Sequence, residues 1–339
     1  MKVVLWWLRR DLRLHDNQAL AAALACADQV VPCFVLDPSI LTAPTFSSRR
    51  YAFMLAGLRA LDDDLKQRGS YLVVRKGNPQ TVLARLMAET GADEIVAERD
   101  YSPYAVRRDA GVSAEMPLTL TQGLTVRQPE AVEKKAGGTY TVFTPFKKTW
   151  LKLPLPRRQQ LIPAPQHIPT PSGVPTDPLL VSAESIKNFP SGEAEAQRRL
   201  QLFTSHRIYQ YNSKRDLMAA KGTASLSPYL RFGMLSARQA VVAAIDAISR
   251  ASDDKVRKEA EIWLSELVWR EFYQQILFHF PHVRKGSFRP IYDQIKWRNI
   301  SAEFNAWTQG KTGYPVVDAA MRQLWQTGYM HNRCRMIVG

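Results

Sequence analysis

Short apolar runs alternate with helical patterns along the first third of the chain. The candidate strands are Val3–Leu8, Val30–Leu36, Tyr71–Arg75 and Glu94–Ala97. Between the second and the third of them, a helix capped by Ser48 repeats apolar residues at helical spacing. Strands that alternate with helices form βαβ units, so the pattern predicts a parallel, doubly wound sheet. Such sheets bind ligands at the carboxyl ends of their strands.

The loop after the first strand lacks the glycines of a dinucleotide site. It reads RRDLRLHDN, where a nicotinamide-binding Rossmann fold has the pattern G-x-G-x-x-G. A G-x-x-x-x-G-K-[ST] phosphate loop is absent from the sequence as well. We therefore expect a Rossmann-like α/β half without a nicotinamide cofactor, and the residues alone leave its ligand open.

A proline-rich stretch separates this half from the rest of the chain. Residues 153–178 contain eight prolines, which exclude a regular helix or a central strand. We predict an α/β domain at residues 1–130, a long connector at 131–189 that runs over the surface of one domain, and a second domain at 190–339. A chain of 339 residues is long enough for two domains with cores of their own.

The second domain is predicted to be all-helical and rich in tryptophan. Apolar residues recur at helical spacing in Gly192–Tyr209, Leu235–Ser249, Arg257–Phe280, Asp318–Leu324 and Tyr329–Val338. Tryptophans stand at positions 263, 269, 297, 307 and 325 of this domain. Buried indoles need a partner for their N–H group, and stacked indoles can also hold flat ligands or flipped bases.

One helical segment, Glu261–Phe280, combines charge with aromatic residues. Glu266, Trp269, Arg270 and Tyr273 lie three or four residues apart and so share one face of the helix. Such a face is costly to bury unless a ligand binds there. The alternative is a core helix in which the arginine and the glutamate pair at the margin. Spacing alone does not decide between the two.

The positive charge of the chain is concentrated in its second half. The net charge is +15 overall. Residues 1–130 contribute +1 (16 Lys/Arg, 15 Asp/Glu), the connector +5 (8 against 3) and the helical domain +9 (22 against 13). A basic domain beside a neutral one favours a polyanionic partner, most often nucleic acid. Solubility through positive charge is the alternative.

The remaining composition argues against membrane, secreted and metal-binding classes. No run of about 18 uncharged apolar residues occurs. The apolar run at the N-terminus is too short for a signal peptide, and charged residues follow it directly. The three cysteines lack the spacing of a disulfide framework or a metal site. We expect a cytoplasmic protein without a metal or a membrane span.

Several ordered strings together resemble the photolyase/cryptochrome family of flavoproteins. In the helical domain they are YNSKRD (211–216), GTASLSPYLRFG (222–233), WLSELVWREFY (263–273), WTQGKTGYPVVDAAMR (307–322) and YMHNRCRM (329–336). WLRRDLRLHDN near the N-terminus and TPFKKTW (144–150) resemble the antenna domain of that family and its exit. The resemblance covers the whole chain.

The resemblance implies a FAD site inside the helical domain, with a DNA lesion bound above the flavin. The residues that match flavin contacts are Tyr211, Thr223, Ala224, Ser225, Leu226, Ser227, Trp263, Arg270 and Arg335. Those that match catalytic, lesion-facing positions are Glu266, Trp269, Asn332 and Met336. The implied DNA contacts are Arg215, Glu266, Trp269, Arg270, Tyr273, Asn332 and Arg333. Trp297 matches the outer end of an electron-transfer chain, with plain packing as its alternative.

Within the family, the strings look most like a class I cyclobutane pyrimidine dimer photolyase. Such an enzyme, a carbon–carbon lyase, uses blue light and reduced FAD to split a dimer flipped out of UV-damaged DNA. His331-Asn332 stands where (6-4) photolyases have two histidines, and we expect His331 to be structural. A DASH-type or signalling cryptochrome is the alternative within the family. Outside it, an α/β nucleotide-binding protein with a helical nucleic-acid module explains the charge but not the strings.

The resemblance also concerns the antenna chromophore. The string ERDYSPY, Glu98–Tyr104, matches the place where relatives bind methenyltetrahydrofolate or 8-hydroxy-deazaflavin, but a helix start at Ser102 and Pro103 explains it equally.

The family's domain continues beyond Gly339 with an Asp-rich segment over the flavin. We therefore expect a truncated monomer with an incomplete helical domain and weak FAD retention, or an inactive remnant.

Overall fold

A five-stranded parallel sheet forms the first half of the protein. The computed structural model describes residues 1–179 and 189–339. The strands are β1 (Val3–Leu8), β2 (Gln29–Leu36), β3 (Val73–Lys76), β4 (Glu94–Glu98) and β5 (Leu118–Thr121). Their order in the sheet is β3-β2-β1-β4-β5, and every pair is parallel. The predicted doubly wound, Rossmann-like sheet is confirmed, with its switch point between β1 and β4.

Strand β1 shows why the apolar run VVLWWL forms a central strand. All six of its residues are buried. Val4, Trp6 and Leu8 point into the larger core, while Val3, Leu5 and Trp7 belong to a second core on the other face. Parallel sheets are covered by helices on both faces, so their central strands are continuously apolar rather than alternating. Here the sheet lies between two layers of helices.

Five helices belong to this half of the molecule. They are α1 (Gln18–Cys26), α2 (Pro38–Leu41), α3 (Ser48–Lys66), α4 (Pro79–Thr90) and α5 (Pro103–Glu115). The capping residue of α3 is Ser47, whose side chain accepts from the backbone N–H of Arg50, and the prediction of Ser48 was wrong by one residue. Ser102 caps α5, as the structural alternative for ERDYSPY expected.

One predicted strand begins later than expected, and one strand was not predicted. β3 begins at Val73, two residues later than expected, because the backbone N–H of Leu72 instead donates to the side chain of Asp62 at 2.8 Å. β5 was missed because its sequence, LTLT, contains no buried apolar run, and it lies at the edge of the sheet.

In the described part of the connector, the chain forms one α-helix, α6 (Phe143–Trp150), and then crosses the α/β half in mostly extended form. Val30 N–H donates to the carbonyl of Pro169 at 2.7 Å, and Val74 N–H donates to the Thr176 hydroxyl at 2.9 Å. The chain thus runs over the surface of the α/β half. Residues 180–188, the end of the predicted connector, lie outside the described residues.

From residue 189 onward, the described part of the chain contains helices and no strand. The helices are α7 (Glu193–Ser205), α8 (Tyr211–Lys214), α9 (Ser227–Phe232), α10 (Ala237–Ser249), α11 (Asp254–His279), α12 (Ser301–Thr308), α13 (Pro315–Thr327) and α14 (Asn332–Val338). The helix predicted to reach Tyr209 ends at Ser205, and a 3₁₀ turn follows at Arg207–Gln210. α13 is longer than predicted and α14 begins three residues later.

The loop after β1 joins the two halves. Arg13, whose side chain is 1% exposed, donates to the carbonyl of Gly233 at 3.1 Å and to Glu98 at 2.5 Å. The Ser236 hydroxyl donates to Asp16 at 2.6 Å. The larger core includes residues from both halves, so they pack as one body.

Among the described residues, no helix has the length and apolar character required to cross a bilayer. No group of three or more His, Cys, Asp or Glu side chains is placed to hold a metal ion in those same residues.

Candidate flavin and DNA site

Helix α11 presents the predicted face at the margin of the core. Asp253 caps the helix, accepting from Val256 N–H at 2.9 Å. The buried side of the helix is formed by Trp263, Leu264, Leu267, Val268 and Phe272. Of the predicted face, Glu266, Trp269 and Arg270 are half-buried, and Tyr273 is 63% exposed. These polar and aromatic side chains are therefore open to a ligand on one side.

Glu266 lies in a group of charged residues from three helices. Arg215, directly after α8, donates to the Glu266 carboxylate at 2.8 Å. Arg333 on α14 donates to Asp216, and its guanidinium also lies 3.3 Å from the sulfur of Met336. We call Arg215, Asp216, Glu266, Arg333 and Met336 the Glu266 cluster. Burial raises the pKa of Glu266, while the positive charge of Arg215 opposes that rise.

Tyr211 and Trp263 lie behind this cluster in an aromatic group. The ring of Phe203 meets Tyr211 edge-on at 5.9 Å and Trp263 at 4.9 Å between centroids. Burial raises the pKa of Tyr211, and the nearby charge of Glu266 adds to the rise. The phenol therefore stays neutral at physiological pH and is available as a hydrogen-bond donor.

Trp269 has a neighbour that the sequence did not predict. Phe143 of α6 stacks on the indole with ring centroids 3.6 Å apart and planes within 7°. Tyr273 stacks on the same indole at 5.5 Å and 22°. Phe143 belongs to an aromatic face of α6 that also contains Phe146 and Trp150, and that helical spacing was a usable signal.

Arg270 lies at the junction with the α/β half. Its guanidinium donates to the carbonyl of Leu124 at 2.9 Å and to Glu271 at 3.2 Å. Burial lowers the pKa of Arg270, and the charge of Glu271 opposes that effect. Arg270 therefore has different partners from Glu266, although Arg270 and Glu266 lie on the same face of α11.

The loop before α9 lines two neighbouring cavities. Thr223, Ala224 and Ser225 line one of about 530 Å³. Its cationic wall is formed by Arg198, Arg199, Arg207 and Lys221. Ser227 and Arg335 instead line a cleft of about 190 Å³, which shares Phe189, Thr327 and Tyr329 with the larger cavity. Leu226, between them, is buried. The residues predicted to hold a flavin therefore border two adjoining spaces rather than one.

Two family models match the chain. The model described as DNA photolyase matches residues 4–169, and the FAD binding domain of DNA photolyase matches residues 263–339. The deoxyribodipyrimidine photo-lyase of Synechococcus sp. is 38% identical over 99% of this chain and 72% of its own length. That of Escherichia coli is 33% identical over 99% of this chain and 74% of its own.

The chain belongs to the photolyase/cryptochrome family.

Solved structures of this family have the same fold. A class III photolyase from Agrobacterium tumefaciens superimposes with a TM-score of 0.89 at 32% identity, covering 99% of this chain and 71% of that one. A cryptochrome from Synechocystis gives a TM-score of 0.87 at 25% identity, with coverages of 99% and 74%. The predicted family, and its α/β and helical halves, are confirmed.

The larger cavity suits the diphosphate of FAD. Thr223 and Ser225 provide hydroxyl groups, while Arg207 and Lys221 provide positive charge. His331 also lines the cavity, and its buried Nε2 atom has no hydrogen-bond partner among the described residues. Its other ring nitrogen, Nδ1, accepts from Arg333 N–H at 3.1 Å and caps α14. The orphaned nitrogen and the cationic wall fit an anionic cofactor.

Three further predicted site residues of this photolyase-family chain lie at the surface. Trp297 is 73% exposed and Met336 is 66% exposed. Asn332, at the start of α14, is exposed as well.

In the predicted antenna string, Glu98 is paired with Arg13, and Arg10 lies 3.2 Å from Asp100. Although burial opposes it, Arg10 lowers the pKa of Asp100 to about 2.

Proposed function

We propose that this protein is a deoxyribodipyrimidine photo-lyase that binds FAD and splits cyclobutane pyrimidine dimers in UV-damaged DNA under blue light. The observation that supports it is the Glu266 cluster, in which a half-buried carboxylate accepts a hydrogen bond from Arg215 and lies near the Arg333–Asp216 pair, on the helix face that includes Trp269. Curated relatives with that enzyme name are 32–38% identical to the chain. Class I membership stays a prediction, since one solved relative is named a class III photolyase.

In this proposal, bound FAD supplies electron transfer driven by light. The chain's own residues hold it and orient the substrate. The Thr223 and Ser225 hydroxyls and the cations of the larger cavity bind the phosphates. Tyr211 donates a hydrogen bond from its phenolic O–H to an anionic oxygen, because its raised pKa keeps the phenol neutral. Arg335 lines the cleft beside the flavin, the buried Trp263 supports the cavity wall through its contact with Phe203, and Arg270 adds positive charge at the junction.

Glu266 is proposed to bind the flipped pyrimidines. Its carboxyl group is proposed to hydrogen-bond the polar edge of the pyrimidines; burial raises the pKa of this group, and the charge of Arg215 opposes the rise. Trp269 and Tyr273 form an apolar wall, and Asn332 and Met336 lie on α14 beside Arg333. Excluding water from this site strengthens the hydrogen bonds made within it.

Arg215 and Arg333 are proposed to contact DNA phosphates at the rim of the site. Both are part of the Glu266 cluster and both remain partly exposed. The helical domain around them has a net charge of +9. Phosphate contacts of this kind make affinity fall steeply with salt. As expected from the sequence, we propose a monomer that acts in the cytoplasm.

A light-sensing cryptochrome is the second candidate, favoured by the structural similarity to the Synechocystis cryptochrome. Repair of a short duplex with one thymine dimer, under blue light and with reduced FAD, separates the two. A photolyase restores the thymines and binds the damaged duplex more tightly than an undamaged one. Equal affinity for the two duplexes, without repair, would exclude the photolyase and leave the sensor.

A further inference from the structure

The connector helix α6 packs directly on the helix that contains Glu266. Its residues Phe143, Phe146 and Trp150 lie three and four residues apart, and so share one face. Phe146 and Trp150 are almost fully buried, and the Phe146 ring lies 5.3 Å from that of Phe272 on α11. This contact brings part of the connector to the substrate site proposed above.

Phe143 is the end of this face nearest to the site. It is half-buried, and it stacks on Trp269 at 3.6 Å with the planes 7° apart. Phe272 meets both rings edge-on, Phe143 at 5.9 Å and Trp269 at 5.7 Å. Rotation of the indole would break the contacts with both phenylalanines. The orientation of Trp269 is therefore fixed by a residue from outside its own helix.

A polar contact anchors α6 in the same place. Lys147 donates to the hydroxyl of Ser265 on α11 at 2.5 Å. Ser265 precedes Glu266, and the charge of Lys147 is among those that oppose the rise in the pKa of Glu266. The register of α6 against α11 is thus set one turn from the Phe143–Trp269 stack.

We propose that Phe143 is a positioning residue, which holds Trp269 as a rigid wall of the substrate site and so favours a flipped pyrimidine dimer over undamaged DNA. The inference rests on the proposed photolyase function. Phe143 covers one face of the indole and Tyr273 stacks on the same ring at 5.5 Å, so the dimer meets the part of the ring that these two residues leave open. An indole without this support samples several rotamers, and ordering it on binding costs affinity.

The test compares Phe143→Leu and Phe143→Tyr with the unchanged protein. Dissociation constants are measured, in the FAD-loaded protein, for a duplex with one thymine dimer and for the same duplex undamaged. We expect Phe143→Leu to weaken dimer binding by about two- to tenfold, the range that loss of one aromatic pair corresponds to. Affinity for the undamaged duplex should not change, and Phe143→Tyr, which keeps the flat ring, should retain the affinity for the dimer.

Phe304→Leu is the matched control, because Phe304 also lies beside a tryptophan, with its ring 5.5 Å from Trp307, but on α12 and 61% exposed. It should bind both duplexes as the unchanged protein does. Thermal unfolding is measured on each variant, and Phe143→Met replaces Phe143→Leu if the latter does not fold.

Two results would overturn the inference, and they can be told apart. If the unchanged protein prefers the damaged duplex and Phe143→Leu keeps that preference, or loses affinity for both duplexes equally, Phe143 has no positioning role while the photolyase function stands. If the unchanged protein shows no preference at all, the photolyase function fails and the inference fails with it.

Discussion

At the scale of single residues, the site depends on which partners the residues of one face of α11 contact. Glu266 pairs with Arg215, Trp269 stacks on Phe143, and Arg270 donates to the carbonyl of Leu124. Helical spacing predicted that these three residues share a face. It could not predict their partners, because each partner comes from a distant part of the sequence. The proposed roles of individual residues follow from those partners.

Replacement of Glu266 by alanine should weaken binding of the damaged duplex by roughly tenfold or more. It removes one hydrogen-bonding group from the substrate and leaves Arg215 without its carboxylate. Glu261→Ala is the control, since Glu261 is an exposed residue on the same helix. The measurement is a titration of a labelled thymine-dimer duplex. Equal effects of the two substitutions would contradict a substrate role for Glu266.

Arg333→Ala tests the proposed phosphate contact. It should weaken binding of damaged and undamaged duplexes alike, and it should reduce the slope of log affinity against log salt by about one. Arg257→Ala serves as the control, because Arg257 is an exposed residue paired with Asp254 at the start of α11 and lies neither in the Glu266 cluster nor in the wall of the larger cavity. An unchanged salt slope for Arg333→Ala would show that the guanidinium does not contact DNA.

His15 gives the junction between the halves a dependence on pH. A hydrogen bond with Glu193, at 3.0 Å, raises the pKa of His15 above its usual 6.5. The protonated form is thus favoured in the folded state, and this stabilisation is fully present below about pH 6.5 and is lost as the pH rises through the raised value. With the side chain 44% exposed, we expect less than ~1 kcal/mol. Urea unfolding of His15→Gln should lack this decline with pH.

At the scale of elements, caps and apolar runs account for what the sequence predicted well. β1, β2 and α4 were placed within a residue, because VVLWWL and VVPCFVL are continuously apolar and because Pro79 and Gly91 bound α4. β5 and α6 were missed for the opposite reason. The former is short and polar, and the latter is a two-turn helix that contains Pro145 and lies just before the proline-rich stretch.

The cap of α5 distinguishes a structural from an antenna role for Ser102. Its hydroxyl accepts from the backbone N–H of Ala105, so Ser102→Ala should lower the free energy of unfolding by about 0.5–2 kcal/mol. Ser113→Ala, an exposed position within the same helix, should change it by less than ~0.5 kcal/mol. Thermal or urea unfolding measures both. Identical stabilities for the two variants would remove the capping role.

At the scale of the whole molecule, the two halves are joined through backbone atoms as well as ion pairs. Gly233, the C-terminal cap of α9, has a φ of 68°, and a Cβ atom there would lie 1.8 Å from the carbonyl oxygen of Arg10. The sequence predicted two domains and the connector. It did not predict this junction, because RRDLRLHDN resembles a loop of the α/β half and contains no pattern that identifies a partner in the helical half.

Gly233→Ala should therefore destabilise the protein more than a left-handed glycine does elsewhere. Gly91 is the matched control: it caps α4 with a φ of 65°, and a Cβ atom there would meet nothing within 4 Å. We expect Gly91→Ala to cost about 1 kcal/mol and Gly233→Ala at least ~1 kcal/mol more, since only the latter forces the halves apart. Urea unfolding checks the difference, and equal losses would mean that the junction relaxes without strain.

The loop after β1, which contains Arg13 and Asp16, also has a consequence for biosynthesis. Arg13 and Asp16 are nearly fully buried, and their partners include Gly233 and Ser236, more than two hundred residues later in the chain. During synthesis, the α/β half emerges from the ribosome well before Gly233 and Ser236 have been added to the chain. The nascent first half must therefore hold this charged loop in water until α9 has emerged, and its folding is completed late. Protease cleavage within residues 9–17 of chains arrested before Gly233, and its loss in longer chains, would reveal that delay.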